Sequence, residues 1–218
     1  MENIFYFPRI GKNYETKGFN NIKLLVLGES HYCGDRGKCE VCGVSSKRKD
    51  CNNFTIRVVE DGFLSYKKGE GKFEDWMRTF TRFTNVLLGD QANNDALHEF
   101  WDSIIFYNYV QSSTTSPRVP PTQEQFEESE IAFFEVLNQY TPDLIIVWGY
   151  RLWDNLGNGR WGEERILDDP NQRFYYYKIA EKEIPAFPIY HPSTSKFGYD
   201  TTKYLKEVIR LVQSKKNS

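Results

Sequence analysis

The sequence predicts a three-layer α/β/α sandwich, in which helices cover both faces of a central, mainly parallel sheet. Two short apolar runs, residues 22–28 and 143–149, each end at a glycine, which is typical of strands buried on both faces. Amphipathic segments separate and follow the apolar runs, and this alternation favours parallel strands joined by helices. We therefore expect residues 1–218 to form a single domain.

The segments between the two glycine-ended runs supply a helix, a strand and a loop. Large apolar side chains recur at helical spacing over residues 73–89, and Gly89 is a suitable stop. The apolar stretch at 102–110 predicts a second buried strand. The Ser/Thr/Pro-rich segment at 112–121 predicts a loop.

A helix start is visible where this loop ends. Thr122 and Gln125 have the spacing of a capping box, which predicts a helix from that point through Tyr140. A further helix signal, YRLWDNLG, follows the second glycine-ended run.

The C-terminal part of the chain completes the predicted sheet. Loose alternation at 173–180 indicates an added strand, and 185–193 predicts a last short strand. Residues 201–213 carry an apolar face at helical spacing, which predicts the final helix.

Composition limits the classes of function. Hydrophobic residues make up 39% of the chain and aromatic residues 16%, enough for a real core. A net charge of −2 gives no general attraction to nucleic acid or anionic membranes. The longest apolar run, LIIVW, is far short of the ~20 residues of a membrane helix, and the N-terminus lacks signal-peptide features. We expect a soluble, cytoplasmic protein with no membrane partner.

Polar side chains follow the predicted strands at their carboxyl ends, where parallel sheets bind ligands. These positions include two of the three histidines, His31 and His191. Each histidine has two open interpretations, a hydrogen-bonded structural residue or a functional one. Glu29 is either a cap or solvated residue, or a general base beside a glycine that admits a ligand. Asn108 offers the acceptor and donors that reading a nucleobase edge requires.

Four segments, VLGESHY, FYNYV, VWGYRLWDNL and IYHPSTS, occur in this order, each at a predicted strand end. Together they resemble the motifs of the uracil-DNA glycosylase superfamily, over roughly residues 22–212. The His-Pro-Ser after an apolar strand is the most specific of them. The sequence departs from the family pattern at His31, where the family has proline, and at Ser30, where several branches have Asp or Asn. If this site uses a carboxylate, the resemblance therefore assigns that role to Glu29.

The resemblance implies a DNA base glycosylase that hydrolyses the N-glycosidic bond of uracil or another modified base, after flipping the nucleotide out of a duplex. Glu29 would orient water or stabilise the cationic sugar, and His191 would hydrogen-bond the leaving base. The residues implied in base binding are Asn108, Tyr32, Tyr109, Ser30 and His31. Those implied in phosphate or DNA binding are Ser193, Ser195 and Lys196. Phe197 is either a wedge into the base stack or an ordinary packing residue.

Two other functions stay open. The first is a catalytically silent relative that binds nucleic acid or a nucleotide-like ligand, as the replacement of the family proline suggests. The second is an unrelated α/β hydrolase-like enzyme acting on a small molecule, which the lack of a G-x-S-x-G or Walker motif disfavours.

All four cysteines lie within residues 33–51, as Cys33, Cys39, Cys42 and Cys51. One C-x2-C pair in a polar, glycine-rich insertion predicts a zinc knuckle in which the metal supplies the ordering. An Fe–S cluster and free thiols are the alternatives, and a cytosolic setting disfavours disulfides. The basic run at 47–50 predicts either a solvated face or a nucleic-acid contact.

Overall fold

The computed structural model describes residues 2–32, 51–89, 93–114, 119–165 and 173–216. Its framework is a seven-stranded sheet in the order β1-β3-β2-β4-β7-β6-β5. The strands are β1 (Arg9–Ile10), β2 (Leu24–Gly28), β3 (Ile104–Asn108), β4 (Leu144–Trp148), β5 (Arg160–Arg165), β6 (Arg173–Ile179) and β7 (Lys182–Ile189).

The four central strands, β3, β2, β4 and β7, run parallel to one another. The outer strands pair antiparallel, β1 with β3 on one side and β6 with β7 and β5 on the other. The predicted parallel sheet is therefore confirmed for the centre, and antiparallel strands extend it at both edges.

The register brings the carboxyl ends of the central strands side by side. Gly28 lies opposite Asn108 across β2 and β3, and Trp148 lies opposite Ile189 across β4 and β7. Residues that directly follow these strands therefore share one edge of the sheet, as is usual for ligand sites in parallel sheets.

Helices cover both faces of the sheet. They are α1 (Phe54–Arg57), a π-helical segment (Val58–Leu64), α2 (Ser65–Lys67), α3 (Met77–Leu88), α4 (Asn94–Asp102), α5 (Gln123–Tyr140), α6 (Tyr150–Asp154) and α7 (Tyr199–Lys216). The capping box at the start of α5 is confirmed, because Thr122 and Gln125 make both of its reciprocal hydrogen bonds. In the part of the chain that is described, no helix has the length and apolarity to cross a membrane.

Strand residues alternate between two cores. Leu24 and Val26 of β2 pack in one core with residues of α3, α4 and α7. Leu25 and Leu27 pack in the other core with residues of α5 and Leu152 of α6. A strand buried on both faces loses the polar alternation of a half-exposed strand, which explains its continuous apolar run.

Some elements differ from the sequence prediction. Helix α3 begins at Met77, so Phe73 precedes it and is 41% exposed. The sequence prediction missed β1, β5, α4 and the helical segments between residues 54 and 67. Strand β1 has only two residues, and a π-helical turn does not follow the 3.6-residue period on which the prediction relied.

Candidate functional site

The carboxyl edge of the central strands brings together residues from four elements. Glu29 directly follows β2, Asn108 ends β3, and Gly149 directly follows β4. His191 lies two residues beyond the end of β7. The sequence predicted that Glu29, Asn108 and His191 lie at one edge of the sheet, and all three lie at the carboxyl edge of the central strands.

Glu29 pairs with Arg151, a residue of α6 that the sequence interpretation did not single out. Nε of Arg151 donates to Oε2 of Glu29 at 2.7 Å, and Nη2 donates to the other carboxylate oxygen. The Glu29 side chain is 13% exposed, whereas that of Arg151 is 54% exposed. The hydrogen bond to Glu29 raises the pKa of Arg151 above its usual value. This two-point, charge-assisted pair fixes the direction of the carboxylate.

His191 is held in one tautomer by Ser193. The backbone N–H of Ser193 donates to Nδ1 of His191 at 3.2 Å, and the Ser193 hydroxyl lies 2.8 Å from the same atom. Burial lowers the pKa of His191, the charge of Glu29 opposes that shift, and the charge of Arg151 adds to it. The lowered pKa favours the neutral ring, and the bond from Ser193 to Nδ1 places its proton on Nε2, which makes Nε2 a hydrogen-bond donor.

Gly149 supports this histidine from the next strand. Its φ of 98° lies in the region that favours glycine, and a Cβ there would approach Cβ of His191 to 3.4 Å. The indole of Trp148 lies edge-on to the imidazole, with ring centroids 5.9 Å apart. Packing against the end of β4 thus limits where the His191 ring can lie.

Arg82 of α3 anchors the loop that carries His191. Its guanidinium donates to the carbonyl oxygens of Thr194 at 2.9 Å and Phe197 at 2.7 Å, and lies 5.6 Å from the Phe197 ring centroid. Phe197 itself is 3% exposed and belongs to the core under α3 and α7. Phe197 is therefore a packing residue, and the alternative of an exposed wedge is wrong for this structure. Arg82 was missed because it falls inside a segment judged only for its apolar spacing.

Asn108 faces the loop after β2. Its Nδ2 donates to the carbonyl oxygen of Ser30 at 3.4 Å and lies 3.1 Å from the ring nitrogens of His31. A Cβ on Gly28 would come within 2.1 Å of Oδ1 of Asn108. The glycine at the end of β2 therefore makes room for the Asn108 side chain, where the sequence had suggested room for a ligand. At 7% exposure, Asn108 positions the loop that carries Glu29.

His31 lies in a buried cluster and not on the open edge that its predicted base-binding role requires. It is 5% exposed, and Nε2 lies 2.8 Å from the hydroxyl of Thr55. The rings of Tyr6 and Phe54 lie 4.8 Å and 4.7 Å from its ring centroid. Burial lowers the pKa of His31 to about 3, so the ring is neutral. Of the two interpretations that the sequence left open for His31, the hydrogen-bonded structural residue is the one that this position fits.

The two tyrosines proposed to stack on a base differ in exposure. Tyr109 is 1% exposed, with its ring against Phe126 and Phe133 of α5, so it does not reach the edge. Tyr32 is 41% exposed, and its backbone forms a β-bridge with Thr114. Tyr32 is thus the one of the two that a ligand can contact without rearrangement of the core.

The remaining predicted contact residues are exposed on the loop after β7. Ser193, Ser195 and Lys196 are all exposed, and Nζ of Lys196 lies 5.7 Å from the ring centroid of Tyr190. Tyr190 in turn contacts Tyr150, which begins α6. The sequence interpretation named neither tyrosine as a site residue, although both directly precede residues of the site.

The predicted metal site lies mostly outside the described residues, together with the basic run at 47–50. Of its four cysteines, Cys33, Cys39 and Cys42 are not described, and Cys51 is buried as a free thiol. Among the described residues, no group of three or more His, Cys, Asp or Glu side chains is arranged to hold a metal. The zinc site therefore stays a prediction.

The sequence matches no protein-family model and no curated protein. Functional inference for this chain accordingly rests on its motifs and on the geometry of the edge that carries Glu29, Arg151 and His191.

Proposed function

We propose that this chain is a DNA base glycosylase, which hydrolyses the N-glycosidic bond of uracil or another modified base. The observation that carries the proposal is the hydrogen bond from the backbone N–H of Ser193 to Nδ1 of His191, which leaves Nε2–H as the donor of the neutral ring. Its ring lies close enough to Glu29 for the carboxylate charge to act on its pKa. A fixed neutral donor beside a carboxylate suits a reaction that separates charge between a leaving base and a sugar.

The proposed reaction uses these two groups on opposite fragments. Water adds to the anomeric carbon while the bond to the base nitrogen breaks, and the electron pair of that bond goes to the base. Nε2–H of His191 donates to the oxygen on which the negative charge of the base develops. The carboxylate of Glu29 orients the water and stabilises the cationic sugar. The proton lost by the water passes to Glu29 or to solvent, and the base is reprotonated by solvent.

In this proposal, release of Arg151 makes the Glu29 carboxylate available to orient water. Both carboxylate oxygens of Glu29 accept from Arg151, so a water that donates to the carboxylate competes with the guanidinium for the same two oxygens. Arg151 is the more exposed partner, at 54% against 13%. A DNA phosphate next to Arg151 competes for its guanidinium, since arginine binds phosphate and carboxylate through the same paired donors. Substrate binding would thereby release the carboxylate.

The same ion pair favours a second candidate function. If Arg151 keeps both oxygens of Glu29 when DNA is bound, the chain is a catalytically silent relative that binds nucleic acid or a nucleotide-like ligand. His31 in place of the family proline points the same way, because here it fills a buried aromatic cluster. The two functions differ in one measurable property, base release.

The deciding experiment incubates the protein with oligonucleotides that carry a panel of modified bases, and then cleaves abasic sites with alkali. Strand cleavage at one modified base, slowed by roughly a hundredfold in His191→Ala and in Glu29→Gln, supports the glycosylase. The matched control for Glu29→Gln is Glu183→Gln. It removes a carboxylate from the exposed ion pair between Glu183 of β7 and Arg160 of β5. Binding of DNA without release of any base from the panel would establish the silent relative.

We also propose that Cys33, Cys39, Cys42 and Cys51 hold one structural zinc ion, and that the protein acts in the cytoplasm. Their confinement to one polar loop supports the metal, because such a loop has little apolar surface to order itself. A cytoplasmic setting keeps the thiols reduced and available to the metal.

A further inference from the structure

Two exposed tyrosines form a pair next to the candidate site. Tyr150 is 37% exposed and Tyr190 is 38% exposed. Their ring centroids lie 5.0 Å apart at an interplanar angle of 63°. Large aromatic rings at this exposure retain ring surface that a planar ligand can cover.

The chain places this pair directly beside the groups of the proposed reaction. Tyr150 precedes Arg151, the partner of Glu29, and Tyr190 precedes His191. Nζ of Lys196 lies 5.7 Å from the Tyr190 ring, on an exposed side chain. The edge therefore offers aromatic surface flanked by two cations, which is the combination that binds single-stranded nucleic acid.

A further observation argues against a duplex as the preferred substrate. Phe197, which the sequence suggested as a possible wedge, is 3% exposed and fills the core. A residue held in this way cannot enter a base stack to drive a nucleotide out. This favours a substrate whose target base is already unpaired.

We infer that the site takes single-stranded DNA, with a base next to the target base stacked on the Tyr150–Tyr190 pair and the adjoining phosphates bound by Arg151 and Lys196. A single strand presents its target base already unpaired, so no wedge is required. This inference rests on the proposed glycosylase function, and it adds to that function the form of the substrate.

The test measures equilibrium binding of one oligonucleotide sequence as a single strand and as a duplex, at a fixed, low salt concentration. We expect the single strand to bind at least tenfold more tightly. Tyr150→Ala/Tyr190→Ala should weaken single-strand binding by about tenfold or more, on the order expected for lost base stacking. Tyr150→Phe/Tyr190→Phe keeps both rings and should bind within about twofold of the unchanged protein. Trp161→Ala serves as the control for loss of an exposed aromatic ring, since Trp161 lies on β5, two strands from β7.

The Phe and Trp161 variants also separate a lost stacking surface from a damaged fold. Duplex bound as tightly as the single strand, or an alanine double variant that binds like the unchanged protein, would overturn the inference. Base release is measured on both forms in the same preparations. Release from the duplex at an equal or higher rate refutes the inference while the glycosylase stands. If no base of the modified-base panel, placed in this sequence, is released from either form, the glycosylase is refuted. The binding comparison still decides whether the tyrosine pair holds a single strand.

Discussion

Arg151 and Glu29 lie 122 residues apart in the chain, and two hydrogen bonds join them across the ends of two adjacent strands. The arginine covers the carboxylate and is itself the more exposed of the two. Any anionic ligand that approaches this edge therefore meets Arg151 before Glu29. In the proposed function, this pair would link the binding of a phosphate to the availability of the carboxylate, and replacement of each partner should have a different effect.

Substitution of Arg151 should affect binding, and substitution of Glu29 should affect the chemical step. Arg151→Ala would remove one of the proposed phosphate contacts, so we expect weaker DNA binding and a salt dependence whose slope is smaller by about one. Glu29→Gln removes the carboxylate charge that competes for Arg151, so it should bind DNA at least as tightly as the unchanged protein, but lower the single-turnover rate by roughly a hundredfold. Arg160→Ala and Glu183→Gln, which break an exposed pair on other strands, are the controls. A Glu29→Gln variant with an unchanged rate would remove the carboxylate from the mechanism.

His191 should act on the transition state more than on binding. His191→Ala should lower the single-turnover rate by about a hundredfold or more, ~2.7 kcal/mol, because its hydrogen bond strengthens as charge develops on the base. Lys196→Ala should instead weaken binding in a salt-dependent way and leave the bound-state rate nearly intact. Equal losses of affinity in both variants would assign His191 to binding.

The rate should depend on pH through His191. Burial lowers its pKa below the usual 6.5, so the neutral form that the proposed reaction requires predominates at neutral pH. We expect a single-turnover rate that changes little between about pH 7 and 8 on account of this group, and that falls as the pH drops through the lowered pKa. The fall should be absent from the residual activity of His191→Ala. A rate that increases on acidification would indicate a protonated histidine as the active form.

Arg82 should position His191 without touching the substrate. Arg82→Met removes the hydrogen bonds to the carbonyls of Thr194 and Phe197, so the loop after β7 loses its anchor on α3. We expect a roughly tenfold lower single-turnover rate and a loss of about 1–3 kcal/mol of unfolding free energy. Arg78→Met is the matched control, because Arg78 lies on the same helix and pairs only with exposed Asp75 among the ion pairs described. Nearly normal base release by Arg82→Met would show that the loop keeps its shape unaided.

The purified protein should contain about one zinc ion per chain. Four cysteines within a short polar segment have the composition of a structural zinc site. Elemental analysis of the intact protein checks the stoichiometry, and Cys39→Ser/Cys42→Ser should abolish it. Iron in place of zinc would support the Fe–S alternative, and the absence of both metals would leave free thiols.

Local patterns were sufficient to predict the elements that position the site. The apolar runs that end at Gly28 and Gly149 are β2 and β4, and Thr122 caps α5 as its spacing indicates. These features depend on interactions among residues close together in the chain, such as a capping box or a strand buried on both faces. The expectation that Glu29, Asn108 and His191 lie on one edge followed from their positions at or just after the ends of predicted parallel strands.

What each side chain does at that edge was decided by tertiary packing. The sequence by itself determined that polar residues follow the strands, but their directions depend on neighbours that are distant in the chain. His31 turns into a pocket formed by Tyr6 and Phe54, whereas Arg151 turns outward onto Glu29. Beyond the end of a strand the backbone no longer alternates in a fixed way, so burial and pairing energies select the direction. Only the folded chain therefore separates the buried histidine from the one that can meet a substrate.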